Sequence, residues 1–140
     1  MSTVKTNTLT GTTSAGSIVV TGEGGSTTTN LQQGLAKSWL TFNGSSTAAL
    51  IDSLNVSGIT DNGTGDFSFA YSNNFSTANS YVAGGMVAPS SNSVTTYTLR
   101  PYSSASLATS SIRFSMVYNT GSEGVSDYPY GASTMVGDLA

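Results

Sequence analysis

A chain of 140 residues is the size of one domain, long enough to bury a single core. Its 4 basic and 7 acidic side chains leave a formal net charge of −3, and with only 8 % charged residues no basic face exists to attract nucleic acid or an anionic membrane. Cysteine and histidine are both absent, which excludes disulfides, thiolate chemistry, Ser-His-Asp and Cys-His catalysis, and His-bearing zinc sites.

About a third of the chain is Ser or Thr, with 16 Gly against 3 Pro, a composition suited to short strands joined by turns and poor for helices. Residues 1–34 are the poorest in bulk. Val4, Leu9, Ile18, Val19, Val20 and Leu31 are nearly their only large apolar side chains. Ordering a backbone costs about 1–2 kcal/mol per residue, more than so little apolar burial offsets. This stretch therefore reads as an extended N-terminal arm that orders against copies of itself or a docking partner, with a disordered tail as the alternative. Short strands are expected at 4–9 and 17–21, separated by a turn-rich stretch at 10–16. The residues 30–36 read as a helical turn or linker.

From residue 35 to 140 the bulky residues become frequent, and the chain reads as one β-domain. Ala36 to Phe42 is the first strand, ended by Asn43 and Gly44, with Trp39 as a core anchor or a subunit contact and a sugar-stacking platform as the alternative. A weaker strand covers 48–55. The stretch 54–71 is the strongest structural signal: strand, turn at Asp61–Asp66, and a second strand on which Phe67, Phe69 and Tyr71 alternate with Ser68 and Ala70. A loop follows at 72–80, then a strand at 81–88 whose Gly84 and Gly85 suggest a bulge or a close backbone approach. The residues 89–93 turn the chain, 94–100 form a Thr-rich strand ended by Pro101, and 102–109 form a loop. The strand at 110–118 puts Ile112, Phe114, Met116 and Tyr118 on one face, and leaves Arg113 on the other, exposed or at a subunit contact. A turn at 119–124, an irregular link at 125–130 and a last strand at 132–139 close the chain. Strands spaced every 8–12 residues with turns between them predict an all-β fold, an antiparallel β-sandwich of the jelly-roll-like kind preceded by the arm.

No site of catalysis emerges. Asp61 and Asp66 share a glycine-rich loop but lack the full oxygen-ligand pattern of a calcium loop, so the segment reads as a turn. The remaining carboxylates are scattered, and no cofactor or metal site is expected. Four matches to the glycosylation sequon, at Asn43, Asn55, Asn62 and Asn74, follow from composition. Tyr128 and Tyr130, flanking Pro129, are the best local candidates for contact with a glycan. No basic-then-apolar leader and no apolar run long enough to span a bilayer is visible, so export by its own signal is not expected.

The segments Leu31–Trp39, Phe42–Gly44, Leu54–Asp66 and Phe67–Phe69, with the arm at 2–9 and Ser111–Arg113, resemble small tail-fibre-like virion proteins of marine and cyanobacterial tailed bacteriophages. The segment 59–66 is the specific part. The resemblance implies a non-enzymatic structural protein, made in the host cytoplasm and carried on the virion. It implies a homotrimer attached to other virion proteins through its arm, with the sandwich projecting as a knob; host surface glycan is a further candidate partner. The chain is too short for a long shaft, so a capsid decoration protein is the rival reading. A carbohydrate-binding module is a third, and an enzyme the weakest.

Overall fold

The computed structural model describes residues 3–12, 18–22, 25, 27–79, 81–90, 96–103 and 107–140, and, at 32 and 33, the backbone alone. The expected turns at 13–16 and 91–93 and the expected strand start at Val94 lie outside the described residues. The chain divides into two units, Met1–Leu35 and Ala36–Ala140.

In the first unit, β1 (Val19–Thr21) pairs antiparallel with β2 (Thr28–Asn30), and one helical turn, α1 (Leu31–Gly34), follows directly. The turn is joined to the hairpin by the Leu31 N–H, which donates to the Ile18 carbonyl at 2.9 Å. The residues 4–9 form no strand and pair with no strand among the described residues. Thr28–Asn30 had no strand signal, being three polar residues with no apolar alternation.

The second unit is an antiparallel β-sandwich. One layer has the order β4 (Ala49–Leu54), β3 (Ala36–Asn43), β11 (Tyr130–Val136), β7 (Val82–Ala88). The other runs β5 (Val56–Gly63), β6 (Asp66–Tyr71), β9 (Ser111–Asn119), β8 (Thr96–Pro101). The short β10 (Glu123–Val125) pairs with the far end of β9. Residues 117–119 of β9 pair with both β8 and β10, and residues 114–115 with both β8 and β6. A strand has two edges, so β10 continues the line of β6. Two four-stranded layers make the fold jelly-roll-like in strand count and layering.

The chain changes layer between β4 and β5 through one residue, Asn55, whose φ of 59° bends the backbone sharply. Asn tolerates this left-handed conformation. Its amide braces the corner, donating to the Asn73 carbonyl at 3.0 Å and accepting from the Asn73 N–H at 2.6 Å. At the β5–β6 turn, Gly65 has a φ of 66°, and an added Cβ would lie 2.9 Å from the Met116 carbonyl oxygen, so glycine is required there.

The core lies between the layers. Phe42 and Leu40 of β3 and Met135 of β11 face Phe67, Phe69, Phe114, Ile112 and Met116 of the opposing sheet, all buried. Phe42 sits edge-on to Phe67 at 5.4 Å and to Phe69 at 4.8 Å. Each such side chain contributes about 1.5–3 kcal/mol by leaving water. The period of two along β6 thus does what the sequence pattern predicts. The expected loop at 72–80 hides a further core residue. Phe75 is fully buried, stacked on Tyr81 at 4.2 Å and edge-on to Tyr71 at 4.9 Å. Backbone bonds hold it there, from the Phe75 N–H to the Thr109 carbonyl at 2.9 Å and from the Ser76 N–H to the Asp138 carbonyl at 2.9 Å.

Candidate functional site: the outer face of the Trp39 sheet

The β4-β3-β11-β7 layer buries one face and leaves the other uncovered by the second layer. On β3, Ser38, Leu40 and Phe42 point inward, so Lys37, Trp39, Thr41 and Asn43 take the outer side. Ladder register then sets the outer-face neighbours. Trp39 lies opposite Leu54 of β4 on one side and Thr134 of β11 on the other, and Thr134 lies opposite Gly84 of β7. Leu54, Trp39, Thr134 and Gly84 therefore form a single row across all four strands. The expectation of Trp39 as a core anchor fails for this reason: its position on β3 has the parity of the outer side.

Beside Trp39 the face opens into a pocket of about 370 Å3, walled by Trp39, Thr41, Met86, Ala132 and Thr134, with Gly84 and Gly85 as its floor. The two glycines serve different ends. A Cβ on Gly85 would lie 2.8 Å from Leu99 Cδ2 and 2.9 Å from the Ala132 carbonyl oxygen, so close packing demands glycine. A Cβ on Gly84 would meet nothing within 4 Å. The β7–β11 ladder runs without a register shift, so the glycine pair marks a close approach and not a bulge. Gly84 weakens its strand without any packing reason, and glycine in a strand often marks a place where something else comes close.

The face sets exposed apolar side chains among the polar Lys37, Thr41, Asn43, Asp52 and Thr134. Leu54, Val82, Met86 and Val136 are 47 %, 70 %, 58 % and 38 % exposed. The inward side of the same sheet holds two buried serines. The Ser38 hydroxyl donates to the Leu54 carbonyl at 3.1 Å, and the Ser133 hydroxyl to the Gly84 carbonyl at 2.8 Å. The two ends of the outer row are thus tied to the central strands from beneath.

The turn at Asp61–Asp66 is built by its own side chains. Asp61 accepts from the Gly63 N–H at 2.9 Å, Asn62 donates to the Ser68 hydroxyl at 2.8 Å, and the Gly65 N–H donates to Asp127 at 2.7 Å. Asp66 is buried and takes the Arg113 guanidinium in a two-pronged pair, the Nε–Oδ1 bond being 2.7 Å. That hydrogen bonding, above all, holds the Asp66 carboxyl below its ordinary value of 3.8, against the opposing push of burial. Arg113 does face away from the aromatic stripe, yet it is not a free surface residue. Tyr102 stacks on it, with the guanidinium 4.2 Å from the ring centre, while Asp66 holds its end. Among the described residues no group of three or more acidic side chains is placed to hold a metal ion.

The remaining candidates are dispersed. In the first unit Val4, Leu9, Val19 and Val20 are exposed, and Ile18 and Leu31 are half-buried. Tyr128 is half-buried against the core, its ring edge-on to Tyr97 at 5.2 Å, and its carbonyl accepts from the Gly44 N–H at 2.9 Å. Burial, first of all, raises its phenol above the ordinary tyrosine value. Tyr130 begins β11 and lies opposite Ala88. Both tyrosines are half-buried. Compared with protein-family models, with curated proteins and with solved structures, the chain matches none.

Proposed function

We propose that this chain is a non-enzymatic structural protein of a tailed bacteriophage virion. It serves as a short tail-fibre-like appendage, assembled as a homotrimer, attached through its N-terminal unit and presenting the sandwich to the host surface. The observation that supports this reading is the state of the first unit. Its apolar side chains Val4, Leu9, Val19, Val20 and Leu35 are exposed, Ile18 and Leu31 are only half-buried, and its only described sheet is a hairpin of two three-residue strands. An isolated two-stranded hairpin is marginal in water, so such a unit gains its stability from partners. The second unit carries its own core of aromatic and aliphatic side chains and needs no such help.

Two measurements test the reading. Light scattering on the intact chain is expected to give three monomer masses, or a multiple of three, and a chain starting at Leu35 is expected to lose that threefold multiple while staying folded. A stable monomer at all concentrations would refute self-assembly. Gold-labelled antibody on particles of the encoding phage is expected to mark the tail. Label spread over the head would replace the appendage by a capsid decoration protein, and unlabelled particles would remove the virion role altogether.

A further inference from the structure

We infer that the outer face of the β4-β3-β11-β7 sheet pairs with the same face of a second copy of this chain, about a two-fold axis that seats Leu54 of each copy in the Gly84 pocket of the other. This contact belongs to the sandwich alone and is independent of the arm and of the virion role.

The first argument is area. Leu54, Val82, Met86 and Val136 are exposed, and with Trp39 among them they make an apolar patch on the order of a few hundred Å2, the scale of the largest, often functional, patch of a monomer. A stable interface takes about 800 Å2 from each partner, of which somewhat over half is apolar. The face supplies most of that apolar share without rearrangement. The occupant is therefore protein-sized and not a small molecule.

The second argument is symmetry, and it selects another copy of this chain over an unrelated partner. The row Leu54–Trp39–Thr134–Gly84 spans the four strands, with its midline between β3 and β11. Leu54, a projecting and half-exposed side chain, stands on the strand beyond β3. Gly84, with open space above it, stands on the strand beyond β11. Projection and hollow lie at equal distances on either side of the midline. A two-fold axis along the strands at that midline exchanges the β4 side with the β7 side. It places each Leu54 over the opposite Gly84 and sets each Trp39 against the opposite Thr134. Self-complementarity of this kind is what a two-fold contact requires. The row contains no charged side chain, and the axis sets the face's two charges, Lys37 on β3 and Asp52 on β4, against the β11 and β7 sides of the other copy, so no like charges meet. Where arms hold three chains, the face joins one trimer to another.

Cysteine cross-linking tests the pairing, because the chain has no cysteine of its own. Leu54→Cys and Gly84→Cys are made separately in the full-length chain. Leu54 is half-exposed and a Cβ at Gly84 has free space, so both variants are expected to fold, checked by thermal melting. Within one chain the two positions are three strand spacings apart, about 14 Å, too far for a disulfide. Mild oxidation of an equimolar mixture is expected to give a covalent dimer, while each variant alone stays monomeric on a denaturing gel. The double variant is expected to give dimers, closed by two bonds. No dimer in the mixture, or equal dimer from either variant alone, would overturn the pairing. A ladder of higher covalent oligomers from the double variant would overturn the two-fold axis. As a check free of cysteine, Gly84→Trp is expected to fill the pocket and halve the mass of the assembly in light scattering with its melting retained, and an undiminished mass would count equally against the contact.

Discussion

Adjacent glycines on one strand offer a sharp test of why each is there. Gly84→Ala and Gly85→Ala differ by one methyl group each, on opposite faces of β7. At Gly85 the methyl would stand 2.8 Å from Leu99 Cδ2 and 2.9 Å from the Ala132 carbonyl oxygen. Leu99 is buried and the carbonyl belongs to the central strand β11, so neither yields freely. Overpacking of this kind costs about 1–3 kcal/mol. At Gly84 nothing lies within 4 Å, and the backbone there is not in the left-handed region. The substitution then acts mainly on the unfolded chain, whose freedom it restricts, and stabilises by about 0.4–1 kcal/mol. Each kcal/mol moves the melting temperature of a domain of this size by roughly 4 °C or more. Thermal melts followed by circular dichroism at low protein concentration, where association does not add to stability, are expected to move in opposite directions. Gly85→Ala should fall by several degrees and Gly84→Ala should rise by a few. Equal destabilisation by both would refute the claim that Gly84 is dispensable to the folded sandwich.

Phe75→Ala is expected to cost about 3–5 kcal/mol in urea titrations, because a fully buried ring is removed from between Tyr71 and Tyr81; a loss under about 1 kcal/mol would mean that the loop is not docked. The Asp66–Arg113 pair makes stability pH-dependent. Because the folded carboxyl titrates below its unfolded value of 3.8, the contribution is complete above that range and is lost as the pH falls through the lower folded value. The stability gap between wild type and Asp66→Asn in urea titrations should therefore be open at pH 7 and begin to narrow below about pH 4; a gap that does not change with pH on acidification would assign it to packing instead. Trp39 is the single tryptophan, so its emission reports the outer face directly. Dilution of the full-length chain is expected to shift it to the red as the face is wetted, and an emission maximum independent of concentration across dissociation would place Trp39 outside the contact.

The parts of the fold that sequence reasoning reaches are those where one face of a strand is buried. Phe67, Phe69 and Tyr71, and likewise Ile112, Phe114 and Met116, alternate because they line the core, and their strands and the hairpin between β5 and β6 follow. Phe75 escapes because it sits among Ser, Asn and Thr in a loop, where no period exists to mark it; its burial comes from backbone bonds to residues 109 and 138. The role of Arg113 escapes for a different reason. Parity correctly sends it to the outer side, but its partners Asp66 and Tyr102 arrive from other strands and loops, which only the ladder register brings together.

Trp39 is the most instructive of these cases. On hydrophobicity alone it belongs in the core, yet the alternation along β3 assigns the inner positions to Ser38, Leu40 and Phe42. The same inversion recurs across the sheet. Ser38 and Ser133 lie inside, each satisfied by a backbone carbonyl, while Leu54, Val82, Met86 and Val136 lie outside. A sheet with one wet face alternates apolar-in and polar-out, whereas a sheet covered on both sides carries apolar residues on both. The outer side of this layer carries both kinds, Leu54, Val82, Met86 and Val136 beside Lys37, Thr41, Asn43 and Asp52. Its opposite face already has the second layer of the sandwich, and the apolar side chains of the outer one are those that the inferred second copy covers. In the proposed assembly the first unit offers exposed Val19 and Val20 at one end of the sequence, and the sandwich offers the face inferred to pair with its own two-fold image. Two contacts of different symmetry in one chain are the minimum from which an extended or closed assembly larger than either alone is built.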